Sequence, residues 1–198
     1  MIQANTPARY WSITEIARAL ISSNALSSIT TQDAIVLAQR MRLCQVARGT
    51  VLFTAGNTNT NFMAHILEGE AVVESAGSAA GETMVLGVVS ARHMIGEMGV
   101  VANAPRSANV TAASDMVLAI LDQSAFALLI EQVPHVACKF LSSLLQGTTD
   151  RLRESNRKLQ TLTSINKSIL EELHSSRENE SNMAELYASG SVFGALQT

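Results

Sequence analysis

Charge is scarce in this chain. Of its 198 residues, 16% are Asp, Glu, Lys or Arg, and the formal net charge is −3. So weak a charge leaves no electrostatic footprint for nucleic acid in the totals, and DNA binding would need a local basic face. Cysteine is nearly absent: Cys44 and Cys138 stand far apart at no metal-ligand spacing, which reads as reduced thiols in a cytosolic protein. The four histidines, His65, His93, His135 and His174, are scattered and none pairs with another, so neither a metal site nor a cofactor is expected. No apolar run reaches the ~18 residues of a membrane-spanning helix. The N-terminus, interrupted by polar residues and Pro7, lacks the apolar stretch of a signal peptide. The expected compartment is therefore the cytoplasm, with no membrane partner. Nucleophile–base pairs and paired carboxylates at catalytic spacing are missing too, so the expectation is a protein without catalytic residues, not an enzyme.

What remains is apolar: 47% of the residues are hydrophobic, enough for one ordinary domain plus an extension. Between Trp11 and Leu20, Ile13, Ile16, Ala17 and Leu20 recur at helical spacing behind Ser12 or Thr14 as a cap. A second helix follows Thr30 or Thr31, with Asp33 in its first turn. From Cys44 the period turns to alternation. Short apolar runs at Val46, Val51 and Phe53, then Phe62, His65 to Leu67, Ala71 to Val73, Met84 to Leu86 and Val88-Val89 are punctuated by Gly49, Gly56, Gly69, Gly77, Gly81 and Gly87. Many short strands at close spacing predict an all-β sandwich or roll. Ser75 to Gly81, a tract of small residues, fits an exposed hairpin tip. Two further strands at Val110 to Ala113 and Met116 to Leu121 lead through Asp122-Gln123-Ser124 into a helix that Val133-Pro134 breaks.

One stretch stands apart, Ile95 to Val110. Glu97 follows Gly96 and precedes the small or apolar residues Met98 to Val101; Pro105, Arg106, Ser107 and Ala108 come next. This arrangement suits a phosphate. Gly96 permits backbone angles a side chain would forbid, the N–H groups of one short helical turn can point at an anion, and Arg106 supplies a planar fork beside the Ser107 hydroxyl. Gly-Glu-Met, then Pro-Arg-Ser-Ala, then Val resembles the phosphate-binding cassette of the cyclic-nucleotide-binding domain family, of the catabolite activator and protein kinase A regulatory type. RGTVLFTAGN and HILEGEAVV resemble that family's first strands and its glycine-marked hairpin. The resemblance implies Glu97 for the ribose 2′-hydroxyl, Arg106 for the cyclic phosphate, and Gly96, Met98, Ser107 and Ala108 around the remaining oxygens. The fold it implies is α+β but mainly β, a double-stranded β-helix or jelly roll with flanking helices.

After Pro134 the pattern stays helical. Cys138, Leu145, Leu152, Leu159, Asn166 and Leu173 fall on one heptad position, and Leu141, Thr148, Ser155, Leu162, Ile169 and Ser176 on its companion. Such a repeat predicts a long C-terminal coiled-coil helix and a homodimer through residues 138–176, with a buried Asn fixing register. The run Arg151 to Lys158, interrupted by Glu154, reads as a solvated face. Nothing after Leu173 reads as a helix-turn-helix, so direct DNA binding is not expected. The expected organisation is N-terminal helices over 1–43, the nucleotide-binding roll over 44–134 with its cassette at 95–110, the dimerisation helix over 135–187 and a flexible tail over 188–198. A stand-alone cyclic nucleotide sensor follows, with cAMP as ligand ahead of cGMP, passing its occupancy to an unidentified effector protein. The alternatives are a scaffold or adaptor whose roll holds no nucleotide, and a sensor of cyclic di-GMP.

Overall fold

The computed structural model describes residues 10–22, 26, 28–76 and 83–188. The chain divides into two compact units, Met1–Thr148 and Thr149–Thr198.

The first unit opens on two short helices, each set by a capping box. In α1 (Ile13–Ile21) the Ser12 hydroxyl accepts from the Glu15 N–H while the Glu15 carboxylate accepts from the Ser12 N–H. Thr30 and Asp33 repeat the arrangement at α2 (Thr31–Ala38). Both boxes satisfy N–H groups that a helix start leaves without partners.

Eight strands are found among the described residues: β1 (Arg42–Val46), β2 (Val51–Phe53), β3 (Phe62–Glu68), β4 (Glu70–Ala76), β5 (Thr83–Ser90), β6 (Met94–Ile95), β7 (Asn109–Ala112) and β8 (Met116–Asp122). They form two four-stranded sheets, ordered β1-β8-β3-β6 and β2-β7-β4-β5. Every recorded pairing is antiparallel. The result is the expected β-roll. β1 begins two residues before the change of period expected at Cys44. Sequence neighbours pair with each other only at β4 and β5; the other links cross between sheets, as a jelly roll requires.

That topology corrects the hairpin expected at Gly69, because β3 and β4 lie in different sheets and Gly69 is a corner between them. Its φ is +88°, and a Cβ there would stand 2.4 Å from the Asp115 carbonyl oxygen. Gly87 does not end a strand either. β5 runs through it, with a register shift opposite Val73 and Glu74 that absorbs the extra residue. Of the tract read as a hairpin tip, Ser75 and Ala76 lie in β4, and residues 77–82 fall outside the described residues.

Two apolar cores explain the sequence pattern. Phe62, Ala64 and Ile66 of β3 and Met116, Leu118 and Ile120 of β8 fill the space between the sheets. Met63 and Leu67 of β3 and Val117, Ala119 and Leu121 of β8 face a second core with α1, α2, α4 (Gln123–Gln132) and the start of α5 (Pro134–Ala188). Strands covered on both faces read as continuous apolar runs, whereas β7, with one face towards solvent, alternates. Within the first unit, α5 buries Val136, Ala137, Phe140, Ser143 and Leu144. Cys138 and Leu145 are exposed, on the other side of the helix from Phe140, at about 100° per residue. Leu141, expected in a dimer seam, instead packs partly against its own domain.

The second unit is helical to Ala188, and every side chain described from Asp150 to Glu185 is exposed. Glu154 pairs with Lys158 at 2.7 Å and Asp150 with Arg153 at 3.2 Å, so the basic run is laced by local ion pairs on a solvated face. Residues 189–198, in the expected tail, fall outside the described residues. No described helix is long and apolar enough to cross a membrane.

Candidate functional site

Between β6 and β7 the chain makes one short helix, α3 (Glu97–Val101), and returns through a turn at Ala102 and Asn103 to Arg106. Gly96 is the residue before the helix and sits at φ +74°, where a side chain is strained. It also has no room for one. A Cβ at Gly96 would lie 2.5 Å from the Phe53 ring and 2.8 Å from Nη1 of Arg106. Gly99, inside α3, is bare for the same reason: its Cβ would meet Nη1 of Arg106 at 2.8 Å.

Arg106 and Glu97 are both buried, at 6% and 4% exposure. Among the candidate residues, contact is established between Arg106 and Gly96, whose carbonyl accepts from Nη1 at 2.5 Å. Ala108 is buried; Met98 and Ser107 are exposed. Burial lowers the Arg106 pKa from its ordinary value, and the nearby Glu97 charge opposes the shift.

The partners of Arg106 are the main surprise. Nε donates to the Thr60 hydroxyl at 3.0 Å, and Nη2 donates to the carbonyls of Thr60 and of Phe62, the latter at 2.6 Å. The guanidinium also lies over the Phe53 ring, 4.1 Å from its centre. The buried guanidinium is paired without any ligand. The protein's own carbonyls satisfy it. Thr60, Phe62 and Phe53 escaped the sequence reading because they reach the site only through the fold. Gly99 had a signal, a glycine inside a helical turn that needed a reason.

Chemically, the site offers a buried guanidinium, a buried carboxylate and a tight glycine turn. Among the described residues no group of three or more His, Cys, Asp or Glu could hold a metal ion.

Residues 43–133 match the cyclic nucleotide-binding domain family. A protein of Rhodopseudomonas palustris described as a potassium channel protein is 32% identical over 125 residues, which is 63% of this chain and 29% of that one. The chain thus spans under a third of that relative's length. Among solved structures, a cyclic nucleotide-binding domain from Methylobacillus flagellatus is 27% identical with a TM-score of 0.66, covering 74% of this chain and 81% of the other. The regulatory domain of Toxoplasma gondii PKA, solved with cAMP, shares the fold at 21% identity and a TM-score of 0.55, covering 66% of this chain and 49% of that one.

Proposed function

Because residues 43–133 belong to the cyclic nucleotide-binding domain family, we propose that the chain is a sensor for a cyclic nucleotide, cAMP before cGMP. Arg106 takes the cyclic phosphate, Glu97 the ribose 2′-hydroxyl, and the Gly96 to Met98 backbone with Ser107 and Ala108 the remaining oxygens. The observation that carries this reading is the placement of a buried Arg106 against the Gly96 turn, with buried Glu97 as the next residue. A guanidinium and a carboxylate there match the two polar ends of a ribose cyclic phosphate.

A family of this kind is regulatory, and the occurrence of such a domain in a relative described as a channel supports an output through another module. Here that output passes through α5 to an unidentified effector, with the exposed heptad residues of the second unit joining two copies. The working compartment we assign is the cytoplasm, a reading supported by Cys44 and Cys138 as free thiols. No direct contact with DNA is part of the proposal.

A second reading draws on one specific observation. With its donors satisfied internally, Arg106 is as comfortable in a roll that holds no nucleotide, which suits an oligomeric scaffold or adaptor. Calorimetric titration with cAMP, cGMP and cyclic di-GMP separates the two, alongside Arg106→Lys, which keeps the charge and loses the fork. Saturable heat with one ligand, weakened in the variant at a temperature where its melt shows it still folded, is the expected result. Silence with all three would leave the scaffold, and a response to cyclic di-GMP alone would rename the ligand.

A further inference from the structure

On the sensor reading, the ligand's phosphate must be taken by Arg106, yet that guanidinium has no open edge to offer. Arginine grips a phosphate through two parallel N–H groups, and it has two such forks. The Nε/Nη2 fork is filled by one residue: Thr60 accepts from Nε with its hydroxyl at 3.0 Å and from Nη2 with its carbonyl. The Nη1/Nη2 fork is filled by the Gly96 carbonyl at 2.5 Å and the Phe62 carbonyl at 2.6 Å. Four of the five donors are engaged within the chain, and the Phe53 ring covers one face.

The two forks differ in what holds them. Phe62 lies in β3 and is buried, and Gly96 is wedged against the Phe53 ring. Thr60 is half-buried, on the connection between β2 and β3. That connection is laced to the cassette. The Gly56 N–H donates to the Arg106 carbonyl at 2.9 Å, the Arg106 N–H to the Asn57 carbonyl at 3.1 Å, and the Ala55 N–H to the Asn109 side-chain oxygen at 2.8 Å. A loop yields more readily than a strand or a packed turn, so the Thr60 edge is the one that can open.

We infer that Thr60 is a positioning residue that latches Arg106 in a closed, ligand-free arrangement, and that a cyclic phosphate binds by displacing the Thr60 hydroxyl and carbonyl from the Nε/Nη2 fork. The exchange is favourable because an anionic oxygen is a stronger acceptor than a hydroxyl or a carbonyl. It also lowers the observed affinity, since only the unlatched fraction can bind. Through the lacing at Gly56 and Asn57, opening would be felt along the β2–β3 connection.

The test is titration of the full chain with cAMP, cGMP and cyclic di-GMP as wild type, Thr60→Val and Thr60→Ser. Valine matches threonine in shape and removes the hydroxyl; serine keeps it. Loss of one hydrogen bond from the charged guanidinium in the closed state should tighten binding by about ten- to a hundred-fold in Thr60→Val, with Thr60→Ser at the wild-type value. A readout independent of ligand is the exchange of the Arg106 Nε proton by NMR, slow in wild type and Thr60→Ser and faster in Thr60→Val. Equal or weaker binding by Thr60→Val, with wild type still binding, overturns the latch and leaves the sensor reading intact. If no protein binds any of the three, the sensor reading fails and the latch falls with it, Arg106 being a structural cation.

Discussion

His65 is fully buried in β3 on the face that meets the helices, and neither ring nitrogen completes a hydrogen bond of ordinary geometry, although the Ala19 backbone lies close by. Burial pushes its pKa down from 6.5 to about 4, aided by the nearby His93 and opposed by the Ala19 backbone. The sign follows directly. Between pH 6.5 and 4 the unfolded chain takes up a proton that the folded chain refuses, so stability falls with pH across that window and the loss is complete near pH 4. The shift corresponds to about 3 kcal/mol, and denaturant melts at stepped pH should lose that much in wild type and little of it in His65→Leu. A pH-independent melt over that range in wild type would contradict the burial argument. Arg106 has an opposite character, a charge that the fold satisfies rather than neutralises. Arg106→Leu would strand the carbonyls of Thr60, Phe62 and Gly96, with an expected cost of about 3–5 kcal/mol read from the same melts. Lost binding in that variant alone would therefore not separate a missing phosphate contact from a damaged roll.

Among elements, the corner at Gly69 depends most on a single residue. Gly69→Ala meets a positive φ and the Asp115 carbonyl at once, and the corner is tied to the β7–β8 turn by the Glu70 N–H donating to the Ser114 hydroxyl at 3.0 Å. The expected loss is about 2 kcal/mol or more, measured as a lower denaturant midpoint, whereas an alanine at Gly49, where a Cβ meets nothing, should cost only its backbone strain of about 1 kcal/mol. The α2–α5 contact belongs to this scale as well: Asp33 caps α2 and accepts from Lys139 at 2.7 Å, with His135 3.9 Å away. Hydrogen bonds from Lys139 and Thr30 hold its pKa near 2, so this contribution is intact above pH 4 and fades as pH falls towards 2, below the His65 window. What the sequence made legible follows the reach of each interaction. Helix starts near Ser12 or Thr14 and near Thr30 or Thr31, the helix break at Pro134 and the Gly96–Arg106 cassette are local, so their residues announce them, while the choice of Ser12 and Thr30 and the boxes they close came only with the structure. Gly69 announced a turn but not its partner strands, because turn chemistry is the same whether the next strand pairs with the last or crosses to another sheet. β1 pairs with β8 across the length of the roll, and Thr60 meets Arg106 from 46 positions away, so neither had a local signature.

For the whole molecule, the question is what covers the second unit. Leu152, Leu159, Leu162, Ile169 and Leu173 are 49% to 62% exposed and recur at heptad positions, and a row of large apolar side chains left in water marks an interface. A second copy of the chain is the occupant that the repeat favours. The flanking positions then discriminate between orientations. In a parallel, in-register pair, the residue before each first heptad position faces the partner's residue five places on. This rule places Ile165 against Leu170, apolar to apolar, and Glu172 against Arg177, acid to base, with Asn166 opposite its own copy. An antiparallel pair offers none of these matches by rule and separates the two asparagines. Parallel pairing is therefore the expected state, with Leu141 left to its own domain. Ser155, between Leu152 and Leu159, provides the test. In a Cys138→Ser background, Ser155→Cys should form an intermolecular disulfide under mild oxidation, and light scattering at micromolar concentration should give twice the chain mass before any oxidant is added. A monomer mass would remove the dimer, and a dimer mass without cross-link would reverse the orientation. Ligand completes the experiment, because a nucleotide that changes the rate of cross-linking would connect the cassette to the seam through α5, as a sensor requires and a scaffold does not.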